Sequence, residues 1–152
     1  MRVPYFQPWI TDNDKKNVIK ALSQRWLTNG PFLSKFENKF QDYIHSKYAL
    51  GVGSATHALH LSNRALGIGP GDEVIVPTFT FAATANSVLY CGAKVILADI
   101  DPLTFNISTK SIKNLITKKT KAIIPVHYGG QSCDMDEIMS IAKKNKLKVI
   151  ED

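Results

Sequence analysis

The chain has 152 residues, 44% hydrophobic and 21% charged, and its 19 basic and 13 acidic side chains give a net charge of +6. This length and composition indicate one soluble globular domain with a core of its own. No apolar run approaches the length of a membrane span, so a membrane protein is not expected. The basic residues form no stripe with interleaved aromatics, so nucleic-acid binding is not expected either.

The cysteine pattern predicts a reduced, cytoplasmic protein. Cys91 and Cys133 are far apart and form neither a metal-type pair nor a disulfide framework, so both are expected to be buried thiols. Residues 1–9 contain no apolar segment followed by a cleavage site, so they are not a signal peptide. No metal site is predicted.

Two amphipathic helices are predicted in the first third of the chain. Thr11 and Asp14 fit a capping box that begins the first helix, and the turn residues 28–31 end it. The apolar face of this helix is expected at Val18, Ile19, Leu22 and Trp26. The second helix carries a stripe that we expect to pack on a sheet: Phe32, Phe36, Phe40 and Ile44.

The stretch from Tyr48 to Leu66 predicts a short strand, a tight turn and a helix. Ser54 and Thr56 place two hydroxyls at the helix start, where backbone amides lack intrahelical partners and the helix dipole favours an anion. The turn is therefore either a phosphate cup or a simple helix cap made by Ser54. The inner face of the helix is expected at Ala55, Ala58, Leu59, Ser62, Ala65 and Leu66.

After residue 66, apolar strands alternate with amphipathic helices. Strands are predicted over residues 73–77, 94–99, 121–126 and 147–150, and helices over 81–89, 108–116 and 132–144. This alternation indicates an α/β fold, a mostly parallel sheet with helices on both faces. The last helix should turn Met135, Ile138, Met139 and Ala142 inward. Because the last strand ends the chain, we expect a fragment of a longer protein.

Candidate chemistry follows the predicted strands at one edge of the sheet, where parallel α/β sheets bind ligands. Four segments meet this criterion: 54–56, 78–81, 127–128 and Asp152. Asp99 and Asp101 also follow a strand, but Asp-x-Asp-Pro is more typical of a capped turn than of a carboxylate pair. His57 and His60 have no metal-ligand partners and are expected on a helix surface.

The kind of phosphate ligand can be narrowed from the glycine pattern. No lysine follows Gly51 and Gly53, so the turn is not a P-loop. Thr56 stands where a dinucleotide fingerprint has its third glycine, which disfavours a dinucleotide-binding module. The turn suits a single phosphate better than a pyrophosphate.

Several motifs along the chain resemble the DegT/DnrJ/EryC1/StrS family of nucleotide-sugar aminotransferases, which depend on pyridoxal 5'-phosphate (PLP). The motifs are Trp26–Pro31, Gly53–Leu59, Gly69–Pro77, Thr80–Phe81, Asp99–Asp101, Pro125–Gly130 and Ile150–Asp152. The resemblance implies an aspartate-aminotransferase-like, fold type I large domain. It further implies that residues 1–152 are the N-terminal, truncated portion of this PLP-binding domain, without the Schiff-base lysine segment and the C-terminal small domain.

The resemblance also assigns cofactor-binding roles. Ser54, Ala55, Thr56 and His57 match the phosphate-binding turn, Phe81 matches an aromatic that lies against the pyridine ring, and Asp152 matches the carboxylate that pairs with the pyridinium nitrogen. His127 is expected to make either a structural hydrogen bond or a ligand contact. No catalytic residue is expected within the chain, because the Schiff-base lysine would lie beyond residue 152. The 152-residue chain alone is therefore expected to be inactive.

The implied reaction transfers an amino group, with glutamate as the expected donor, to a nucleotide-linked keto sugar. Family members are homodimers, so a full-length chain is expected to dimerise. Two alternatives remain open: a PLP-dependent sugar dehydratase of the same fold, and a non-catalytic regulatory or remnant domain.

Overall fold

The computed structural model describes Pro4 and residues 7–152, which divide into two compact units, Met1–Gly51 and Val52–Asp152. The prediction about a signal peptide in residues 1–9 falls largely on positions outside the described residues. Among the described helices, none is long and apolar enough to cross a bilayer.

The first unit contains the two predicted helices. α1 spans Asp12–Leu22, and Thr11 and Asp14 form the predicted capping box at its start. α2 spans Pro31–Ile44 and begins with proline at its first position, where a missing N–H costs nothing. Both helices are confirmed, but α1 ends at Leu22, so Trp26 lies beyond the helix on which it was predicted and residues 28–31 do not end it.

The predicted burial of these two helices is wrong for the described part of the unit. The α2 stripe at residues 32, 36, 40 and 44 is 39–58% exposed, and the residues predicted for the face of the first helix, 18, 19, 22 and 26, are 58–66% exposed. Neither helix contains a buried residue. Amphipathic spacing identifies the apolar face of a helix, but it does not supply the surface that covers that face.

The strand predicted at the start of the stretch 48–66 is also absent. Residues 48–53 have no strand pairing in the structure. Instead of joining a ladder, the backbone N–H of Gly51 donates to Oε1 of Glu37, 2.8 Å away. The following helix is present as α3, Ala55–Ala65.

The second unit contains a four-stranded sheet in the order β2-β1-β3-β4, and every pair is parallel. Each connection between strands contains one helix, as parallel pairing requires. The predicted fold class, an α/β unit with a parallel sheet, is confirmed. The elements after α3 are β1 (Glu73–Pro77), α4 (Ala82–Leu89), β2 (Lys94–Ala98), α5 (Thr109–Leu115), β3 (Thr120–Ile123), a short 3-10 turn (Tyr128–Gly130), α6 (Met135–Asn145) and β4 (Lys148–Val149).

Helices cover both faces of the sheet. On one face Val74 and Val76 of β1 pack with Leu59 of α3 and Val88 of α4. On the other face Ile75 packs in a cluster with residues of α5 and α6. The alternation of β1 side chains between two apolar layers explains why all five of its residues are buried.

The first connection and the later connections run in opposite directions across the sheet. The chain goes from β1 to β2 on one side, through α4, and then crosses back past β1 to β3 on the other side, through α5. The carboxyl ends of β1 and β3 therefore flank a topological switch point, and the crevice at such a point is where open α/β sheets bind ligands.

The inward faces of two helices differ in part from the prediction. In α6, Ile138 and Ala142 are buried as expected, but Met139 is 52% exposed and Ile141 is buried instead. In α3, Ala55, Ala65 and Leu66 are exposed, and the buried positions are Leu59 and Asn63.

Candidate functional site

The start of α3 has the features of an anion-binding turn. Ser54 is the N-cap, and its Oγ accepts a hydrogen bond from the backbone N–H of His57 at 3.2 Å. The backbone amides of Ala55 and Thr56 make no hydrogen bond within the described residues, and the first turn contains no acidic side chain. The first turns of α1 and α6 carry carboxylates, whereas those of α2, α4 and α5, like that of α3, carry none. The α3 dipole is thus uncompensated at this end.

Side-chain exposure at this turn leaves room for a ligand. Ser54, Ala55 and His57 are exposed and Thr56 is half-buried. A Cβ added to Gly53 would lie 3.1 Å from Nδ1 of His57, so a side chain at this position would crowd the turn. His57 lies on the helix surface, as predicted.

The carboxyl end of β1 leads directly into α4. Phe81 is the N-cap residue of α4, and its side chain is 80% exposed. Three residues later, Thr84 is fully buried in the first turn of the same helix. Its hydroxyl lies 2.8 Å from Oγ1 of Thr80 and 2.6 Å from Oδ2 of Asp152.

Asp152 is held at the crevice by its backbone as well. Its N–H donates to the carbonyl of Pro125 at 3.0 Å, and its carbonyl accepts from the N–H of His127 at 2.9 Å. These bonds extend the parallel pairing of β3 and β4 beyond the strands themselves. The structure therefore brings Asp152, His127 and the start of α4 together, as expected for strand ends on one edge of a sheet.

His127 makes structural hydrogen bonds, one of the two outcomes considered for it. Its Nδ1 accepts from the backbone N–H of Cys133 at 3.1 Å, which places the ring proton on Nε2. Nε2 lies 3.0 Å from Oε2 of Glu151. The imidazole thus links the turn before α6 to the end of β4.

Two further sequence interpretations are supported. Oδ1 of Asp101 accepts from the backbone N–H groups of Leu103 and Thr104, and these bonds hold the pKa of its carboxyl below the ordinary value. Asp101 therefore caps a turn. Both cysteines are buried and unbridged, and burial raises the pKa of each thiol.

A buried polar contact connects α3 to α4 through residues for which no role was predicted. Nδ2 of Asn63 donates to the carbonyl of Leu59 at 2.9 Å and to Oγ of Ser87 at 3.1 Å. Oγ of Ser87 in turn donates to the carbonyl of Thr84 at 2.8 Å. The signal was present, because Asn63 is four positions after Leu59 and so shares its inward face.

Comparison with known proteins relates the chain to one family of aminotransferases. The sequence model of the DegT/DnrJ/EryC1/StrS aminotransferase family matches residues 8–152. The chain is 47% identical over 152 residues to GDP-perosamine synthase from Caulobacter vibrioides, covering 99% of this chain and 41% of that protein. It is 48% identical over 143 residues to a pleiotropic regulatory protein from Geobacillus stearothermophilus, covering 91% of this chain and 38% of that protein.

A solved structure shows the same similarity in three dimensions. The crystal structure of NtdA from Bacillus subtilis, which contains the bound cofactor PMP, superimposes with a TM-score of 0.87 at 41% identity. The match covers 93% of this chain and 34% of the NtdA chain. The chain therefore spans well under half the length of the relatives it matches.

Proposed function

The chain belongs to the DegT/DnrJ/EryC1/StrS aminotransferase family, and from this we propose that it supplies the cofactor-binding part of a PLP-dependent sugar aminotransferase. The proposed reaction transfers an amino group from a donor, with glutamate expected, to a keto carbon of a nucleotide-linked sugar. The observation that carries the proposal is the placement of Asp152, whose backbone pairs with the segment after β3 and whose carboxylate accepts a hydrogen bond from Thr84 at the start of α4.

The residues at the start of α3 fit the phosphate of PLP. The amides of Ala55 and Thr56 are available as donors, and Ser54 and Thr56 add hydroxyls. The amide of His57 contacts Ser54 here, so it would bind the phosphate only after exchanging that partner. Gly53 keeps the approach to the turn open. An anion is favoured because no carboxylate opposes it.

Phe81 and Asp152 fit the other end of the cofactor. The exposed ring of Phe81 offers a flat apolar face to a pyridine ring. The negative charge of Asp152 would hold a proton on the ring nitrogen. When bound, PLP supplies an electron sink for cleavage of a bond to the amino-acid Cα. The residues of this chain bind the cofactor, orient it and stabilise its protonated ring.

We extend the proposal to the organisation of the whole protein. Residues 1–152 would form the N-terminal portion of the large PLP-binding domain. The Schiff-base lysine and the small domain would come from sequence beyond residue 152, and the complete enzyme would be a cytoplasmic homodimer. A dehydratase would share this architecture, because the residue in place of the Schiff-base lysine determines which reaction follows.

A second function, regulation without catalysis, is favoured by one observation. The relative from Geobacillus stearothermophilus, 48% identical, is named a pleiotropic regulatory protein. A regulator built on this fold could retain the PLP site and lack turnover. Cofactor binding therefore tests the site, whereas turnover separates the two functions.

The binding test compares PLP with pyridoxal, which lacks the phosphate. We expect the chain to bind PLP more tightly than pyridoxal, and Thr56→Val to reduce this preference, because Thr56 contributes only at the phosphate end. Titration followed by cofactor absorbance measures both affinities. Equal affinity for the two ligands in the unsubstituted chain would contradict the proposed cup.

The turnover test uses the longer polypeptide that the proposal requires. Asp152→Asn should retain PLP but lose most transaminase turnover, because a neutral amide does not stabilise the pyridinium proton. Asp136→Asn is the matched control, since Asp136 is an exposed carboxylate on α6 away from the crevice. Unchanged turnover in Asp152→Asn would remove Asp152 from the proposed site.

A further inference from the structure

Thr84 presents a buried hydroxyl to Asp152 from the first turn of α4. Its side chain has no solvent exposure, and its Oγ1 lies 2.6 Å from Oδ2 of Asp152. The two residues are 68 positions apart in sequence, so the contact depends on the tertiary fold. Sequence motifs give this threonine no role.

The direction of the hydrogen bonds follows from the chemistry of the groups. An ionised carboxylate has no proton to donate, so the hydroxyl of Thr84 donates to Asp152. Because a hydroxyl has one proton, Oγ1 of Thr84 must accept from the hydroxyl of Thr80. The two threonines thus form a short relay of donors that ends at Asp152.

Thr84 is itself held rigidly. Its branched Cβ restricts rotation of the side chain within a helix. Its carbonyl accepts from Ser87, whose Oγ accepts from Asn63 of α3. α4 is therefore fixed against α3, the helix whose start forms the proposed phosphate cup, and the hydroxyl of Thr84 is fixed with it.

The carboxylate of Asp152 is left with one engaged and one available oxygen. The backbone of this residue is fixed by Pro125 and His127, and Oδ2 by Thr84. Within the described residues, Oδ1 accepts no hydrogen bond. Rotation about the bond to the carboxyl carbon would break the contact with Thr84, so the available oxygen keeps one orientation.

We infer that Thr84 is a positioning residue that fixes the orientation of the Asp152 carboxylate toward the ring nitrogen of the cofactor. The inference rests on the proposed function. It assigns to one buried hydroxyl the task of holding the carboxylate in one orientation toward the cofactor ring.

The test uses PLP labelled with 15N at its ring nitrogen, bound to the complete enzyme. The 15N chemical shift reports whether the nitrogen is protonated. We expect full protonation in the unsubstituted protein and in Thr84→Ser, which keeps the hydroxyl, and a larger neutral fraction in Thr84→Val. Thr80→Val, which leaves the donation from Thr84 in place, should have a smaller effect.

Kinetics provide a second measurement. Losing one hydrogen bond to a charged group corresponds to a decrease in kcat of about 10- to 100-fold in Thr84→Val. The KM for substrate should stay within about twofold, because the fully buried Thr84 does not contact the substrate.

The inference would be overturned, and the proposed function left standing, if Thr84→Val matched the unsubstituted enzyme in both 15N shift and kcat while Asp152→Asn altered both. Absence of PLP binding in the unsubstituted enzyme would instead refute the proposed function, and the inference with it.

The cofactor-free protein gives a result even if Thr84→Val does not fold. In the unsubstituted protein, the hydroxyl proton of Thr84 should be detected by NMR as a slowly exchanging signal with a cross-peak to the Cβ protons of Asp152. Such a signal supports the contact on which the inference depends. A hydroxyl proton that exchanges rapidly with water would overturn it.

Discussion

Replacing Asn63 by leucine is expected to leave the free energy of unfolding nearly unchanged, although the side chain is fully buried and makes two hydrogen bonds. Nδ2 of Asn63 is paired with Leu59 and Ser87, but Oδ1 is buried and has no hydrogen-bond partner within the described residues. The amide is thus half satisfied. The net contribution of Asn63 to the free energy of unfolding is therefore the gain from the two hydrogen bonds of Nδ2 minus the cost of burying Oδ1 without a partner, and these two energies are of similar size.

The expected change in the free energy of unfolding follows from the hydrogen bonds that Asn63 makes and lacks. The two hydrogen bonds made by Nδ2 contribute about 1 kcal/mol each, and the buried, unpaired Oδ1 costs about 1–3 kcal/mol. Leucine has a similar branched shape, removes both terms and adds apolar contact between α3 and α4. We therefore expect Asn63→Leu to change the free energy of unfolding by less than about 1 kcal/mol in either direction.

Urea unfolding followed by far-UV circular dichroism measures this change, and Asn63→Asp provides the contrast. Aspartate lacks the N–H groups that pair with Leu59 and would bury a charge, so it should cost about 3 kcal/mol or more. A loss above about 2.5 kcal/mol in Asn63→Leu would refute the reasoning, because it would show that Oδ1 is stabilised in the folded protein.

Three other outcomes are expected. Ile75→Ala should cost about 2–5 kcal/mol in urea unfolding because it leaves a cavity between buried layers, whereas Leu103→Ala, at an 88% exposed position, should stay within about 0.5 kcal/mol. The hydrogen bond from the Thr117 hydroxyl lowers the pKa of Glu73 from its ordinary value of 4.5. The ionised Glu73 therefore stabilises the folded protein above pH 4.5, and this contribution is lost as the pH falls below that value. Thr117→Val should make the urea midpoint depend less steeply on pH in the acid range. The two cysteine thiols are 4% and 5% exposed with raised pKa values, so Ellman's reagent should modify them only after unfolding, and modification of the folded chain would contradict their burial.

The sequence predicted the α/β unit well because its signals are local and redundant. The run 73–77 is apolar at consecutive positions and lies between turn residues, which is typical of a strand covered on both faces, and it is β1. Thr11, Ser108 and Asp134 are helix caps as their residue types suggest. Apolar runs and helix caps can be recognised from neighbouring residues in the sequence, without information on tertiary contacts.

The wrong predictions concern strand pairing and helix burial, which depend on the elements that pack against a segment and not on the segment alone. Residues 48–52 have strand-like composition, but a strand exists only where a neighbour pairs with it, and none does. In α6, Met139 and Ile141 are both apolar and only the orientation of the helix on the sheet decides that Ile141 is buried. The aromatic stripe of α2 shows the same limit.

For the candidate site, residue types at strand ends and the family resemblance pointed to Asp152 and Phe81, but not to the residues that hold them. Thr84 was missed because threonine in the first turn of a helix is common and its partner is 68 positions away. Asn63 could have been found as a polar residue on an apolar helix face. The predicted roles of residues 54–57, 81 and 152 stay predictions until the cofactor is measured.

The central position of β1 in the sheet has a consequence for synthesis of the chain. Ile75 pairs with Ile96 in β2 and with Ile123 in β3, so one edge of the most completely buried strand is paired much later than the other. At about 5–20 residues per second, Ile123 is made about 2–10 s after Ile75, and folding on the ribosome leaves that edge open for this interval. An unpaired apolar strand edge is a site of aggregation. The nascent chain should therefore depend on chaperone binding most strongly between the synthesis of β1 and that of β3.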